Sequence, residues 1–276
     1  MPADLHLHTN FSDGTDTPEV LVTLAKDVGL TTIAVTDHDT ADGVGLAIQK
    51  GKELGLEVIP GIEFSTDDYN TEIHILGYFV DLNNLSFQES LKKLQKGRQD
   101  RIHKMCEKLQ KMGINLKAET VLGLAGNQAP GRPHVARAMV KEGYIDNFRD
   151  AFRGYIEFGA PAYTEHYKMK AVEAIKLVLD AGGLPVYAHP GVSKCDQVIP
   201  DFVAAGLAGI EAIYPLHNEG QTQHYINLAI KHGLLVTGGS DHHGQEPSRR
   251  LKLGEFLLDD KYAEQLKNEY LRRNKP

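Results

Sequence analysis

The sequence predicts an α/β chain: a mostly parallel sheet or barrel, interrupted by a helical insert. Three observations lead there. Short β-rich runs alternate with helical patterns at both ends of the chain, which is the rhythm of β-α-β units. Between residues 84 and 170 that rhythm stops and helical periodicity takes over. The same stretch holds 16 Lys and Arg against 9 Asp and Glu, whereas the rest of the chain holds 14 against 28. A basic segment inside an acidic chain points to two surfaces with different tasks. The chain of 276 residues is long enough for a full core. The expected organisation is a barrel from residues 1–83 and 171–276, with residues 84–170 inserted as a substrate lid.

The elements follow in order. "ADLHLH" reads as the first strand, and "TPEVLVTLAKDVG" as a helix with Thr17 as N-cap, Pro18 in the first turn and Gly29 as the stop. "TTIAVTDHD" is the second strand and "DGVGLAIQKGKELG" the second helix; "LEVIPGIEFS" and "EIHILGYFV" are strands three and four. In the insert, "FQESLKKLQKGRQDRIHKMCEKLQKMG" is the longest periodic stretch, followed by "ETVLGLAG", "RPHVARAMVKEG" and "NFRDAFRGYI". The alternation then resumes with helix "KAVEAIKLVLDAGG", strand "LPVYAHP", helix "QVIPDFVAAG" and strand "LAGIEAIYP". Helix "QTQHYINLAIKHG", strand "LLVTGGSDHH" and the charged helix "DDKYAEQLKNEYLRRN" complete the chain.

Composition excludes several classes. Cys106 and Cys195 are far apart with no C-x-x-C, which argues against a disulfide framework or a thiolate zinc site. No apolar run approaches the roughly 18 residues of a membrane span, and no basic-then-apolar signal segment opens the chain. A cytoplasmic location and no membrane partner are expected. The net charge of -7 argues against stable, non-specific DNA binding. With no G-x-S-x-G elbow and no G-x-G-x-x-G, serine-hydrolase and dinucleotide chemistry lack support.

The chemistry-bearing residues cluster at strand ends. His6 and His8 close the first strand, Asp37 and His38 the second; Glu63 ends the third, and His74 lies in the fourth. His189 ends "LPVYAH", and Asp241, His242 and His243 end "LLVTGGSDHH". In a parallel barrel the C-terminal strand ends converge on the face where active sites are built. One such histidine would more often be structural; six strands doing the same thing point to a site. Alternation puts His6 and His8 on one strand face and Leu5 and Leu7 on the other. Imidazole with carboxylate and no thiolate suits Zn, Mn, Fe or Co. The candidate ligands are His6, His8, Asp13, His38, Glu63, His74, His189, Asp241 and His243, too many for one ion. Closely spaced ions lower the pKa of a shared water and clamp the entering and leaving oxygens.

The ordered set H-x-H, S-D-G, T-D-H-D, G-I-E-F-S, E-I-H-I-L, A-H-P and G-S-D-x-H resembles the polymerase and histidinol phosphatase (PHP) family over essentially the whole chain. The resemblance implies a distorted (β/α)7 barrel with a trinuclear metal centre; the ligand count itself suits two or three divalent ions, manganese first, with zinc or iron as alternatives. It implies His6, His8, Glu63 and Asp241 on one ion, Glu63, His74 and His189 on a second, and Asp13, His38 and His243 on the third.

The insert narrows the substrate. Leu91, Leu94, Met105 and Met112 follow a 3–4 spacing with Arg98 and Arg101 on the same stripe. These arginines either snorkel at its edge or reach inward to an anionic substrate. In "PGRPH", Arg132 and His134 stand where a Gly-Pro turn enters a helix, either as a plain helix start or as a phosphate site. A G-R-P-H insert ahead of A-H-P is similar to the PHP subgroup of 3′,5′-nucleoside bisphosphate phosphatases, which is also associated with 5′-to-3′ exonuclease activity on short RNA. That implies a metal-bound hydroxide attacking the 3′-phosphate of a nucleotide while insert residues hold the 5′-phosphate and base. Arg98, Arg101, Arg132 and His134 are the candidates to bind the substrate, and Asp241 is the candidate to handle the water proton, the alternative being ligation alone. The alternatives are a histidinol-phosphate phosphatase and a non-catalytic, metal-stabilised PHP module that binds a partner. His242 is read as facing away from the site, and His217 and Glu211 as support for the ligands or as simple structural residues rather than ligands. His103, His166, His224 and His232 are read as surface residues.

Overall fold

Seven strands stand side by side in the order in which the chain makes them. The computed structural model describes residues 2–68, 71–126, 129–165, 167–244 and 252–275. In the sheet, β1 (Pro2–Leu7), β2 (Thr32–Val35), β3 (Glu57–Asp68) and β4 (Thr71–Tyr78) lead into β5 (Leu184–Tyr187), β6 (Gly209–Ile213) and β7 (Leu235–Gly238). A two-residue strand, β8 (Leu258–Asp259), adds antiparallel to the start of β1. Beyond β7 the chain returns to β1: Leu7 bridges His242, and the His8 N–H donates to the His242 carbonyl at 2.9 Å. The sheet therefore nearly closes into a barrel. At the seam a Cβ on Gly239 would lie 2.4 Å from the His6 Cβ, so only glycine fits there.

The seams β1–β2, β2–β3, β5–β6 and β6–β7 are parallel. β4, however, is antiparallel to both β3 and β5. The expectation of convergent strand ends is thus corrected for β4. Asp68 ends β3 and Thr71 begins β4, leaving no room for the dozen or more residues that a parallel crossover needs. His74 therefore pairs with Ser65 from the opposite strand direction and still reaches the rim where β3 presents Glu63.

Helices α1 (Pro18–Asp27) and α2 (Val44–Leu54) cover the first strands. Thr17 caps α1 by accepting the Val20 N–H, with Pro18 in the first turn as expected. Leu21, Val22 and Ala25 of α1 pack with Leu7, Ile33 and Val35, on the side of β1 away from His6 and His8. In the insert, α3 (Leu85–Lys111), α4 (Ala118–Ala125), α5 (Arg132–Lys141) and α6 (Phe148–Ala151) lead into a π-helical turn at Phe152–Ile156. The second half of the chain adds α7 (Ala171–Asp180), α8 (Pro190–Ser193), α9 (Ile199–Ala205), α10 (Glu219–His232) and α11 (Lys261–Arg273).

Helix α3 serves two cores. Phe87, Leu91 and Leu94 pack with Phe64, Ile73 and Ile75 of the β3–β4 hairpin and with α7. Ile102, Met105, Cys106 and Leu109 instead pack with Val121, Val135, Met139 and Ile156 of the insert. Burial of a side chain such as Phe87 stabilises the fold by roughly 1.5–3 kcal/mol, so the first turns of α3 are fastened to the barrel itself. The apolar stripe ends before Met112, which is 41% exposed. Among the described residues no helix is long and apolar enough to cross a membrane.

Candidate metal centre

Glu63 stands at the centre of five imidazoles. Its Oε1 lies 2.7 Å from His74 Nδ1 and 3.0 Å from His189 Nε2. Its Oε2 lies 3.1 Å from both His6 Nε2 and His8 Nε2 and 3.2 Å from His38 Nδ1. A carboxylate whose two oxygens face two different sets of donors has the shape of a bridging ligand. Asp241 Oδ1 closes the first set, 3.2 Å from His8 and 3.6 Å from His6. On the other side of His8, Asp13 Oδ1 lies 3.0 Å from His243 Nε2. All nine candidate ligands are thus brought together: His6, His8, Glu63 and Asp241 form one group, His8, Asp13, His38 and His243 a second, and His38, Glu63 and His74 a third, while His189 joins His6 and Glu211 in a fourth, the donor atoms of each group within 4.8 Å of one another.

The local chain explains this convergence. His6 lies in β1 and His8, two residues on, directly follows the strand, so the two share a face. His38 follows β2 and is tied to β3 by a bridge to Glu63. His189 follows β5, and Asp241 follows β7; both adopt left-handed backbone angles, φ 26° and 53°.

Electrostatics inside the cluster are strong because it is buried. Burial alone would push the Glu63 carboxyl up, but His38, His6 and His74 together hold it well below the usual carboxylate range. Burial would lower the His8 and His74 imidazoles; Asp241 and Glu63 instead hold His8 up at about 9, and Glu63 with Glu72 holds His74 up at about 10. Burial raises the Asp13 carboxyl, and His243 and His38 outweigh it and bring the carboxyl well below its ordinary value. His6 Nε2 and His8 Nε2 face each other at 3.1 Å, an arrangement that repels when both rings are protonated. Cations among these donors relieve that repulsion, and an all-imidazole and carboxylate set fits borderline to hard divalent ions. The donor set therefore fits metal ions.

Support for the ligands comes from β6 and the loop after it. Glu211 places one oxygen 2.9 Å from His6 Nδ1 and accepts the His189 N–H with the other at 2.8 Å. An outer partner of this kind fixes which ring nitrogen faces inward. His217 Nε2 accepts the Gly191 N–H at 3.1 Å while its Nδ1 lies 2.9 Å from the Ala212 carbonyl. The His242 ring is buried 3.8 Å from Asp16. His103, His224 and His232 are exposed or half-buried, and His166 lies outside the described residues.

A cavity of about 460 Å³ opens from this cluster into the insert. Asp13, His38, His74 and His243 of the cluster line it together with Arg132, Arg137, Arg149, Arg153, Phe148 and Phe152 of the insert, and two further carboxylates, Glu72 and Glu157, share the lining. The Phe148 and Phe152 rings are 5.1 Å apart. Arg132 sits over Phe152 and 4.0 Å from Glu72. The structure places the other expected substrate residues differently. Arg98 is buried and paired with Asp39 at 2.6 Å and Ser65 at 2.9 Å. Arg101 donates to the Thr164 carbonyl at 2.7 Å beside the Tyr163 ring; burial, together with Arg132 and Arg98 nearby, lowers its guanidinium to about 10. The His134 ring accepts the Gly131 N–H at the start of its own helix, and burial plus Arg137 lowers it to about 4. None of these three lines the cavity, whereas Arg132 does.

The sequence pattern of the PHP domain family matches residues 4–160. The chain belongs to the PHP family. It is 31% identical over 249 residues, 89% of this chain and 95% of the relative, to a phosphoribosyl 1,2-cyclic phosphate 1,2-diphosphodiesterase of Eggerthella lenta. It is also 31% identical to a 3′,5′-nucleoside bisphosphate phosphatase of Chromobacterium violaceum, covering 87% of this chain and 86% of the relative. The 5′-3′ exoribonuclease Rnm of Escherichia coli is 32% identical over 92% of this chain and 88% of its own. Among solved structures, a Bifidobacterium adolescentis protein assigned as a metal-dependent phosphoesterase superposes with a TM-score of 0.89 at 31% identity, covering 99% of this chain and 96% of that one.

In this PHP chain the sequence left Arg137, Arg149, Arg153, Phe148 and Phe152 unremarked. For the last four the signal was present in "NFRDAFRG", where two Phe-Arg pairs four residues apart share a helical face; Arg137, in "RPHVARAMVKEG", carried none.

Proposed function

We propose that this PHP phosphoesterase removes the 3′-phosphate of nucleoside 3′,5′-bisphosphates and also trims short 5′-phosphorylated RNA from its 5′ end. The observation that carries this reading is the two-sided cavity, with a histidine and carboxylate floor facing a wall of arginine and phenylalanine. A substrate with one anion at each end and an aromatic base suits that layout; histidinol phosphate, with a single anion, leaves the wall unused. A neighbouring groove extends past Phe148, Arg149 and Arg153 to Asn147 and Lys141, which supports room for a further nucleotide.

The nine rim ligands would hold two or three divalent ions, with manganese first and His6, His8, Glu63 and Asp241 around one of them. Such ions, when bound, withdraw charge from a phosphoryl group and lower the pKa of water. The chain supplies the rest. Asp241 has Oδ2 engaged by the Tyr214 hydroxyl at 2.9 Å, which leaves Oδ1 toward the cluster to accept the proton of an attacking water. Arg132 and Arg137, fixed over the floor, bind the second phosphate through charge-assisted hydrogen bonds, and Phe148 and Phe152 stack the base. Arg98 and Arg101 hold the wall in place through Asp39, Ser65 and Thr164.

The Eggerthella relative gives a second candidate, because a phosphoribosyl cyclic phosphate also carries two phosphate groups. The Phe148–Phe152 pair favours a substrate with a base. A turnover screen over adenosine 3′,5′-bisphosphate, phosphoribosyl 1,2-cyclic phosphate, histidinol phosphate and short 5′-phosphorylated RNA is the test, read as inorganic phosphate for the monoesters and, by chromatography, as ring-opened product for the cyclic phosphate and as released mononucleotide for the RNA. The highest turnover is expected on the bisphosphate and the RNA. Turnover confined to the cyclic phosphate or to histidinol phosphate would contradict the reading, and no turnover on any would reinstate a non-catalytic module.

A further inference from the structure

His189 and Asp241 are ligand candidates with left-handed backbone angles, and neither is glycine. Such conformations are strained and persist only where the surroundings hold them. One buried side chain touches both. The Tyr214 hydroxyl donates to Asp241 Oδ2 at 2.9 Å, and its ring lies 5.1 Å from the His189 imidazole, inclined by 42°. The ring is itself backed by His217 at 5.2 Å, whose Nε2 holds the Gly191 N–H just after His189. A Cβ on Gly191 would sit 2.7 Å from the His217 ring, so the segment is packed close against it.

We propose that Tyr214 is a positioning residue that ties these two strained ligands together. Its hydroxyl fixes the Asp241 carboxylate so that Oδ1 faces His8 at 3.2 Å and His243 Nδ1 at 3.4 Å. Its ring sets the tilt of His189, which meets Glu63 at 3.0 Å. This inference rests on the metal-centre reading. In that reading Asp241 and His189 serve different ions that share Glu63, so Tyr214 links two metal positions from outside both.

The test uses the full chain, freed of metal and titrated with Mn²⁺ alone, with unbound ion counted by electron paramagnetic resonance. Tyr214→Phe keeps the ring and removes the hydroxyl. It should fold, bind one Mn²⁺ about 10- to 100-fold more weakly, the usual scale for losing an outer-shell partner, and keep the others. Turnover should fall in kcat with KM unchanged and recover as Mn²⁺ is raised. Tyr187→Phe is the comparator: it loses a hydroxyl bonded to Ser193, which is not a ligand candidate, and should bind Mn²⁺ as the unaltered chain does. Equal Mn²⁺ binding by Tyr214→Phe and the unaltered chain would overturn the role of Tyr214, as would an equal loss in Tyr187→Phe. Failure of the unaltered chain to bind Mn²⁺ would instead overturn the metal-centre reading beneath it.

Discussion

The barrel rim and the helical insert face each other across one cavity, yet different physics fixes their charged groups. At the rim, strand ends converge by topology, and imidazoles and carboxylates neutralise one another within about 3 Å. In the insert, arginines spaced along helices divide by depth. Arg98 and Arg101 are buried and satisfied by protein partners, while Arg149 and Arg153 are exposed beside the cavity. The rim is compensated internally and suited to cations; the insert leaves arginines exposed beside the cavity. A buried arginine near a site is thus not automatically a substrate residue.

The contrast breaks most visibly at Glu63. Glu63→Ala removes the carboxylate shared by five imidazoles, and phosphate release should fall on the order of 10³-fold or more, with metal content per chain reduced. Retained metal and activity would show that the rim is not a metal centre. Next comes the divide within the insert. Arg98→Ala strands the buried Asp39 carboxylate and should cost about 3–5 kcal/mol in denaturant unfolding. Arg153→Ala should change stability by less than about 0.5 kcal/mol yet raise KM for the bisphosphate about tenfold, the scale of one charge-assisted contact. Reversed effects would exchange the roles of the two arginines.

The last effect is one of pH. Burial holds the His134 ring at about 4, against an ordinary value of 6.5. As pH falls below 6.5 the unfolded chain takes a proton that the folded chain refuses, so stability is lost toward pH 4, by up to about 3 kcal/mol. His134→Gln should flatten that part of the stability profile relative to the unaltered chain. A profile unchanged by the substitution would mean that the ring is not held neutral.

The comparison also explains what was legible in the sequence. Period-two alternation at His6 and His8, and donors placed at strand ends, exposed the rim because strand geometry leaves little freedom. The direction of β4 was not legible, since it depends on a connection too short for a crossover rather than on the pattern within the strand. In the insert, the stripe containing Arg98 and Arg101 correctly marked a buried face, but periodicity cannot say whether a buried arginine meets Asp39 or a ligand. Asp39 is adjacent to His38 and carried no separate signal. The Phe148–Arg149 and Phe152–Arg153 repeat was readable and lay in the segment that turns π-helical, where helical spacing is least dependable.

The most direct test of the two-sided cavity is the ratio of kcat/KM for adenosine 3′,5′-bisphosphate to that for adenosine 3′-monophosphate, measured with the unaltered chain and with Arg132→Ala. The two substrates offer the same bond to the rim and differ only in the 5′-phosphate offered to the insert. A rim that performs the chemistry and an insert that holds the second anion through Arg132 and Arg137 predict a ratio on the order of 100, equivalent to about 2.7 kcal/mol, falling about tenfold in Arg132→Ala. A ratio near 1 in the unaltered chain, or one untouched by the substitution, would contradict the division of labour between barrel and insert.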